Sequence, residues 1–255
     1  MKDLFSIKDK KILVTGGARG IGRTVAEHLL DAGAQVGLVD INAGQAEETA
    51  AALAAKTGGA CVAFGCDVTD PEAVSRTFAD FTARFGTLDG VFNNAGITYF
   101  KEAEALSPEE WKKVIDVNLN GVFYVAQAAA RCFMDEKKAG SIVNTASMSG
   151  LIVNIPQRQA SYNTSKSAVI HLTKSLAVEW ASHNIRVNCI SPGYIRTDMT
   201  GSVRQDWVAW WEDLIPFKRM GTPEELVGAV IYLISDASTY TSGANLVIDG
   251  CFTCI

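Results

Sequence analysis

The chain has 255 residues, 48% of them hydrophobic and 20% charged, with a formal net charge of −5. That balance supplies a large core and excludes a disordered chain. The absence of any strongly basic stretch argues against nucleic acid or an anionic membrane as the main partner. No apolar run approaches the ~20 residues needed to cross a bilayer.

Met1 to Lys11 alternates charged and apolar residues and has no secretory h-region, so a cytoplasmic protein is expected. The first strand is expected at Lys11 to Thr15, running directly into Gly16-Gly17-Ala18-Arg19-Gly20-Ile21-Gly22 and a helix over Ile21 to Ala32. Glycines there permit a tight turn and let backbone N–H groups approach a pyrophosphate, and the helix N-terminus favours its negative charge. Gly16, Arg19, Gly20, Ile21 and Gly22 are therefore candidate cofactor residues.

The second strand, Gln35 to Val39, leads to Asp40. A carboxylate at that position can accept both ribose hydroxyls of an adenosine and repels the 2′-phosphate of NADP, which favours NAD. Arg19 argues the other way, since a guanidinium can face a phosphate. A helix over Ala43 to Lys56 and a strand over Cys61 to Cys66 lead to Asp67 and Val68, placed to cradle the adenine. After a helix at Pro71 to Phe85 comes a strand at Leu88 to Asn93, followed by Asn94, Ala95 and Gly96. Small residues there let the backbone run close to a bound cofactor.

A helical pattern covers Pro108 to Met134, a strand Ser141 to Thr145, a helix Ser161 to Ser182 and a strand Ile185 to Ile190. Thr197 to Pro216, with Trp207, Trp210 and Trp211, breaks the rhythm and reads as an inserted helical flap that covers a pocket, packs in a core or meets a partner subunit. An apolar stretch at Leu226 to Ile234 and a strand at Asn245 to Ile248 complete the chain. Continuously apolar strands alternating with amphipathic helices predict an α/β fold: a Rossmann-type, doubly wound parallel sheet of about seven strands with helices on both faces. With no linker or internal repeat, residues 1–255 read as a single domain. Ligands of such sheets sit beyond the carboxyl ends of the strands.

The six cysteines read as small core residues, and Cys251-x-x-Cys254 lies at the extreme C-terminus without a second ligand pair. His28, His171 and His183 lack metal-ligand spacing, so no metal is expected.

Tyr162 and Lys166 stand i, i+4 at the start of a helical pattern and face the same way. A phenol has a reference pKa of ~10, so a base near neutrality needs ~3 units of help. An ammonium one turn away is a source of it.

Thr15-Gly16-x-x-x-Gly20-x-Gly22, Asn93-Asn94-Ala95-Gly96, a serine after the fifth strand, Tyr162-x-x-x-Lys166 and Pro192-Gly193 occur in that order. The set resembles the short-chain dehydrogenase/reductase family along essentially the whole chain. The resemblance implies that a serine orients the substrate oxygen, Tyr162 transfers the proton, and Lys166 binds the nicotinamide ribose and lowers the tyrosine pKa. An asparagine, Asn118 by position, completes a water-linked proton relay. Ser147 and Ser149 both follow the strand; the strand-end pattern selects Ser147 as catalytic and leaves Ser149 as a pocket residue. Pro192, Gly193, Ile195 and Thr197 match the segment that holds the nicotinamide carboxamide.

The loop Ile152 to Gln159 brings amide and guanidinium groups near the reacting centre, which suits a polyhydroxylated substrate. Together with the ending Asp249 to Phe252, it is similar to polyol and sugar dehydrogenases of the family. Ser149, Asn154, Gln157 and Tyr194 are the substrate candidates. The expected activity is hydride exchange between NAD(H) and a polyol/ketose pair, the small-molecule partner. A 3-oxoacyl-thioester reductase and a non-catalytic dinucleotide sensor are the alternatives. The resemblance further implies a homotetramer.

Overall fold

The computed structural model describes residues 3–197 and 203–255. Seven strands form one parallel sheet: β1 (Lys11–Thr15), β2 (Gln35–Asp40), β3 (Cys61–Gly65), β4 (Gly90–Asn93), β5 (Gly140–Thr145), β6 (Ile185–Pro192) and β7 (Asn245–Ile248). Their order across the sheet is β3-β2-β1-β4-β5-β6-β7. The chain winds outward from β1 to β3, returns beside β1 as β4, and continues to the other edge. That reversal is where an open α/β sheet leaves a crevice for ligands.

The helices are α1 (Gly20–Asp31), α2 (Ala43–Thr57), α3 (Pro71–Phe85), α4 (Pro108–Ile115), α5 (Val122–Asp135), α6 (Ala160–Glu179), α7 (Gln205–Leu214) and α8 (Glu224–Ile234). Local chemistry sets several boundaries. Asp70 caps α3 through the N–H groups of Glu72 and Ala73, Pro71 opens it, and Gly86 closes it at φ +83°. Ser107 and Glu110 form a reciprocal capping box on α4.

Both faces of the sheet are covered. Leu29, Val36, Leu38, Val230 and Leu233 pack in one core, and Phe78, Phe81, Val125, Ala129 and Phe133 in the other. β4 and β5 are buried along their whole length, which explains the apolar pairs Val91-Phe92 and Ile142-Val143 at their centres, while the buried Asn93 donates to Asn144.

The long helical pattern from Pro108 differs from its expectation. Between α4 and α5, Asp116–Gly121 is a π-helical turn. The widened turn holds Asn118, whose side chain is anchored elsewhere in the fold, and such bulges recur at functional sites. The flap consists of α7 and its flanks, and the part of the expected flap from 198 to 202 lies outside the described residues. Among the described residues no helix is long and apolar enough to cross a membrane, and no group of histidine, cysteine and acidic residues could hold a metal ion.

Candidate active site

The glycine loop after β1 is shaped by close contacts. Gly16 and Gly20 have φ of +62° and +55°, and a Cβ on Gly22 would lie 2.2 Å from the Gly16 carbonyl oxygen. Arg19 precedes α1 without capping it, and the first turn of α1 holds no acidic residue. The N–H groups of that turn, Ile21 included, are therefore uncapped by side chains and suited to an anion. Arg19 itself is exposed.

Asn94 ties this loop to the sheet. Its backbone N–H donates to Thr15 Oγ1 at 2.9 Å and its amide to the Thr15 carbonyl at 3.2 Å, while Thr145 Oγ1 donates to Asn94 Oδ1 at 3.2 Å. The Ala95 N–H shares Thr15 Oγ1 at 3.0 Å. Asn94 and Ala95 thus tie the ends of β1, β4 and β5 together beside the glycine loop.

Asp40, half-buried at the end of β2, accepts from the Ala18 N–H through Oδ2 at 3.2 Å and from the Asn42 N–H through Oδ1 at 3.1 Å. Two backbone donors fix the carboxylate, and each oxygen keeps acceptor capacity. Asp67 is exposed and its Oδ1 accepts from Thr69 N and Oγ1. The Val68 side chain is buried against Gly121 and in the core, which leaves its backbone as what it can offer a ligand.

On the far side of the crevice, Gly193 donates to the Ile248 carbonyl at 2.9 Å, and a Cβ there would lie 2.6 Å from Asp249 Cα. Pro192 pairs in register with Ile248, so both residues lock the end of β6 to β7. Ile195 bridges to Gly221. Thr197 comes within 3.9 Å of a Cβ built on Gly20, closing the crevice opposite the glycine loop. An open cleft of about 460 Å³ starts at Gly20 and Thr197 and runs on between Arg23, Thr24 and Glu27 of α1 and Arg196 and Thr222. Glycine loop, uncapped helix turn, fixed carboxylate and facing β6 segment together fit a dinucleotide.

Three side chains meet at the carboxyl end of β5. Tyr162, half-buried on α6, faces Ser147, whose hydroxyl acts on the phenol. Ser147 Oγ also accepts from the Ser149 N–H at 3.1 Å, so the serine at the strand end is the one that faces the phenol. Lys166 is 2% exposed; its Nζ donates to the Thr145 carbonyl at 2.7 Å and lies 5.6 Å from the centre of the Tyr162 ring.

Burial acts on both members of the Tyr162–Lys166 pair. Burial pushes the Tyr162 phenol above its ordinary pKa, and the opposing influence is the Ser147 hydroxyl. Burial also lowers Lys166, to about 8.

Asn118 is fully buried, with Oδ1 accepting from the Ile97 N–H at 2.8 Å and Nδ2 donating to the Ile97 carbonyl at 2.9 Å and Ser165 Oγ at 3.1 Å. A Cβ on Gly96 would sit 3.3 Å from Asn118 Oδ1 and 3.5 Å from Lys166 Nζ, so these two groups flank the same glycine.

The substrate candidates come together as well, but with each other. Asn154 and Gln157 both donate to the Tyr194 hydroxyl, and all three are buried. Two members of this group are not among the substrate candidates, though their loop and flap are: Gln159, which reaches Ser149 and Asn154, and Trp211, whose indole N–H donates to Gln157. Of the flap tryptophans, Trp211 is 1% exposed in a small core with Met148, Tyr194 and Ile215, whereas Trp210 is half exposed.

Residues 16–253 match a family model described as enoyl-(acyl carrier protein) reductase, a branch of the short-chain dehydrogenases. The chain belongs to the short-chain dehydrogenase/reductase family. It is 46% identical to a sorbose reductase of Candida albicans over 99% of this chain and 90% of that protein. It is 44% identical to a probable NADP-dependent mannitol dehydrogenase of Yarrowia lipolytica, with 98% and 90% covered. A ribulose-forming D-arabinitol 2-dehydrogenase of Scheffersomyces stipitis is 41% identical, with 98% and 96% covered. Among solved structures, a short-chain dehydrogenase/reductase from Mycobacterium marinum superposes with a TM-score of 0.96 at 45% identity, covering 99% of each chain. As a member of this family the protein is an oxidoreductase that acts on CH–OH groups with a nicotinamide dinucleotide.

Proposed function

We propose that this short-chain dehydrogenase/reductase interconverts a sugar alcohol and its ketose with NAD(H). The observation that carries the reading is the meeting of Ser147 and Tyr162 at the strand end, with Lys166 one helical turn from Tyr162. The names of the sorbose reductase, mannitol dehydrogenase and arabinitol dehydrogenase relatives support a polyol or ketose as substrate.

The dinucleotide, when bound, supplies the hydride donor or acceptor at its nicotinamide ring. The rest falls to this chain. Ser147 holds the substrate oxygen. In oxidation the Tyr162 phenolate takes the hydroxyl proton as the carbon gives up its hydride, and in reduction the phenol returns it. Lys166 binds the ribose next to the reacting ring. Asn118, with both side-chain groups paired, takes its part in the proton relay from a fixed position. Gly16, Gly20, Ile21 and Gly22 hold the pyrophosphate, with Val68, Asn94, Ala95 and Gly96 along the adenosine and ribose, and Pro192, Gly193, Ile195 and Thr197 at the carboxamide.

NAD is the reading for the cofactor because Asp40 presents a fixed carboxylate where a 2′-phosphate would lie. The NADP-dependent names of some relatives and the exposed Arg19 favour a second reading, NADP. Steady-state kcat/KM with both dinucleotides decides between them. A panel of polyols, ketoses and 3-oxoacyl thioesters tests the substrate, and turnover of thioesters without any polyol overturns the reading. A cytoplasmic single-domain protein assembled as a homotetramer completes the proposal, with sedimentation as its check.

A further inference from the structure

Beside the reacting trio lies a buried polar cluster whose hydrogen-bond directions can be worked out one group at a time. Trp211 Nε1, a donor and nothing else, donates to Gln157 Oε1 at 3.1 Å. With its oxygen committed, Gln157 must turn Nε2 to the Tyr194 hydroxyl, at 2.9 Å. Gln159 Nε2 donates to Asn163 Oδ1 at 2.9 Å and to Asn154 Oδ1 at 3.4 Å. Asn154, its oxygen likewise engaged, turns Nδ2 to the same phenol at 3.2 Å.

Two amide donors therefore converge on one phenol oxygen. They occupy its lone pairs, and neither offers an acceptor for its single proton. The ring cannot turn away, because it is stacked on Trp211 at 4.2 Å and 11° and met edge-on by Phe252 at 5.5 Å. Burial raises the pKa of Tyr194 above its ordinary value, so the proton stays on at neutral pH. Ser149 Oγ lies 3.3 Å from the same Gln159 Nε2 and shares that amide's second proton with Asn154 Oδ1, which leaves the serine's own proton to donate. Its backbone N–H fixes the reacting Ser147.

We propose that the Gln157, Asn154 and Gln159 amides are a positioning device that presents the Tyr194 and Ser149 hydroxyls as fixed donors to substrate oxygens other than the reacting one. The proposal rests on the polyol reading and deepens it: Tyr194 and Ser149 become the residues that demand a polyhydroxylated chain. A substrate without those oxygens leaves buried donors unpaired, and a site built that way rejects it.

The test compares kcat/KM for a five-carbon polyol with that for a simple secondary alkanol, in wild type, Tyr194→Phe, Ser149→Ala and Gln157→Glu. Dinucleotide affinity serves as the check on folding. Tyr194→Phe is expected to lose about 10- to 100-fold on the polyol and less than about twofold on the alkanol. Gln157→Glu gives the phenol an acceptor and turns its proton inward, so it reproduces that selective loss with the hydroxyl still present. If Gln157→Glu fails the folding check, Ser149→Ala, a smaller change, carries the comparison. Equal losses on both substrates, or no loss on the polyol, overturn the positioning proposal and leave the polyol reading standing. A wild type that turns over no polyol overturns that reading and this proposal together.

Discussion

Lys166 Nζ sits 5.6 Å from the Tyr162 ring centre but donates to the Thr145 carbonyl, so the ammonium is aimed past the phenol. Both groups are shifted by burial toward their neutral forms, the phenol upward and the lysine down to about 8.

The pH dependence follows from the sign of these shifts. Reduction needs the phenol, which is present at every pH below the raised pKa. Oxidation needs the phenolate. Log kcat/KM for oxidation is therefore expected to climb from about pH 6 to about pH 9, while that for reduction stays level and falls only on the alkaline side. An oxidation profile that declines with rising pH contradicts the assignment of Tyr162.

The lysine makes a separate stability prediction. Its folded pKa of about 8 lies below the value of ~10.4 for an exposed lysine, so holding it charged penalises the fold in full below about pH 8. The penalty is relieved as pH rises from there through the unfolded value. Lys166→Met is expected to be the more stable protein at pH 7 in denaturant titrations, with an advantage that shrinks by up to about 3 kcal/mol by pH 10. A difference independent of pH would show that the ammonium is not desolvated.

Ser147 and Ser149 separate by the kind of loss. Ser147→Ala is expected to lower kcat/KM by about 100-fold or more on any alcohol, since the reacting oxygen loses its partner. Equal effects of Ser147→Ala and Ser149→Ala on a simple alkanol would return the assignment to the choice left by sequence.

How much could be read beforehand differs from residue to residue. The strands were legible because burial on both faces favours apolar runs, as in Ile12-Leu13-Val14 of β1 and Val91-Phe92 of β4. The glycine loop, Asp40 and the Tyr162–Lys166 pair were legible because each follows a strand and carries chemistry in its spacing. The π turn at Asn118 was not, because it answers to the distant backbone of Ile97 and not to helical periodicity. Gln159 and Trp211 were hidden for the same reason. A glutamine in a loop and a tryptophan in a flap acquire meaning only when the fold brings them to Ser149 and Gln157.

Asp40→Ser removes the fixed carboxylate while leaving its neighbours in place. The ratio of kcat/KM with NADP to that with NAD is expected to rise by about 10-fold or more, as loss of a like charge near a phosphate at the surface implies. An unchanged ratio would mean that the 2′ position does not lie against Asp40.

Gly22→Ala drives a methyl group to 2.2 Å from the Gly16 carbonyl, a contact the loop can relieve only by moving backbone. The expected result is a loss of about 1–3 kcal/mol in stability and weakened dinucleotide binding, read by thermal melts with and without NADH. Retained affinity would place the pyrophosphate elsewhere.

The central claim is that Tyr162 moves the proton in an NAD(H)-dependent polyol/ketose interconversion. The direct measurement is NADH formation by wild type and Tyr162→Phe across three- to six-carbon polyols, with NADH binding measured alongside. The account predicts wild-type turnover of at least one polyol, a loss of about 100- to 10,000-fold in the variant, and unchanged NADH affinity. Turnover that survives in Tyr162→Phe, or its absence from every polyol in the wild type, would contradict it.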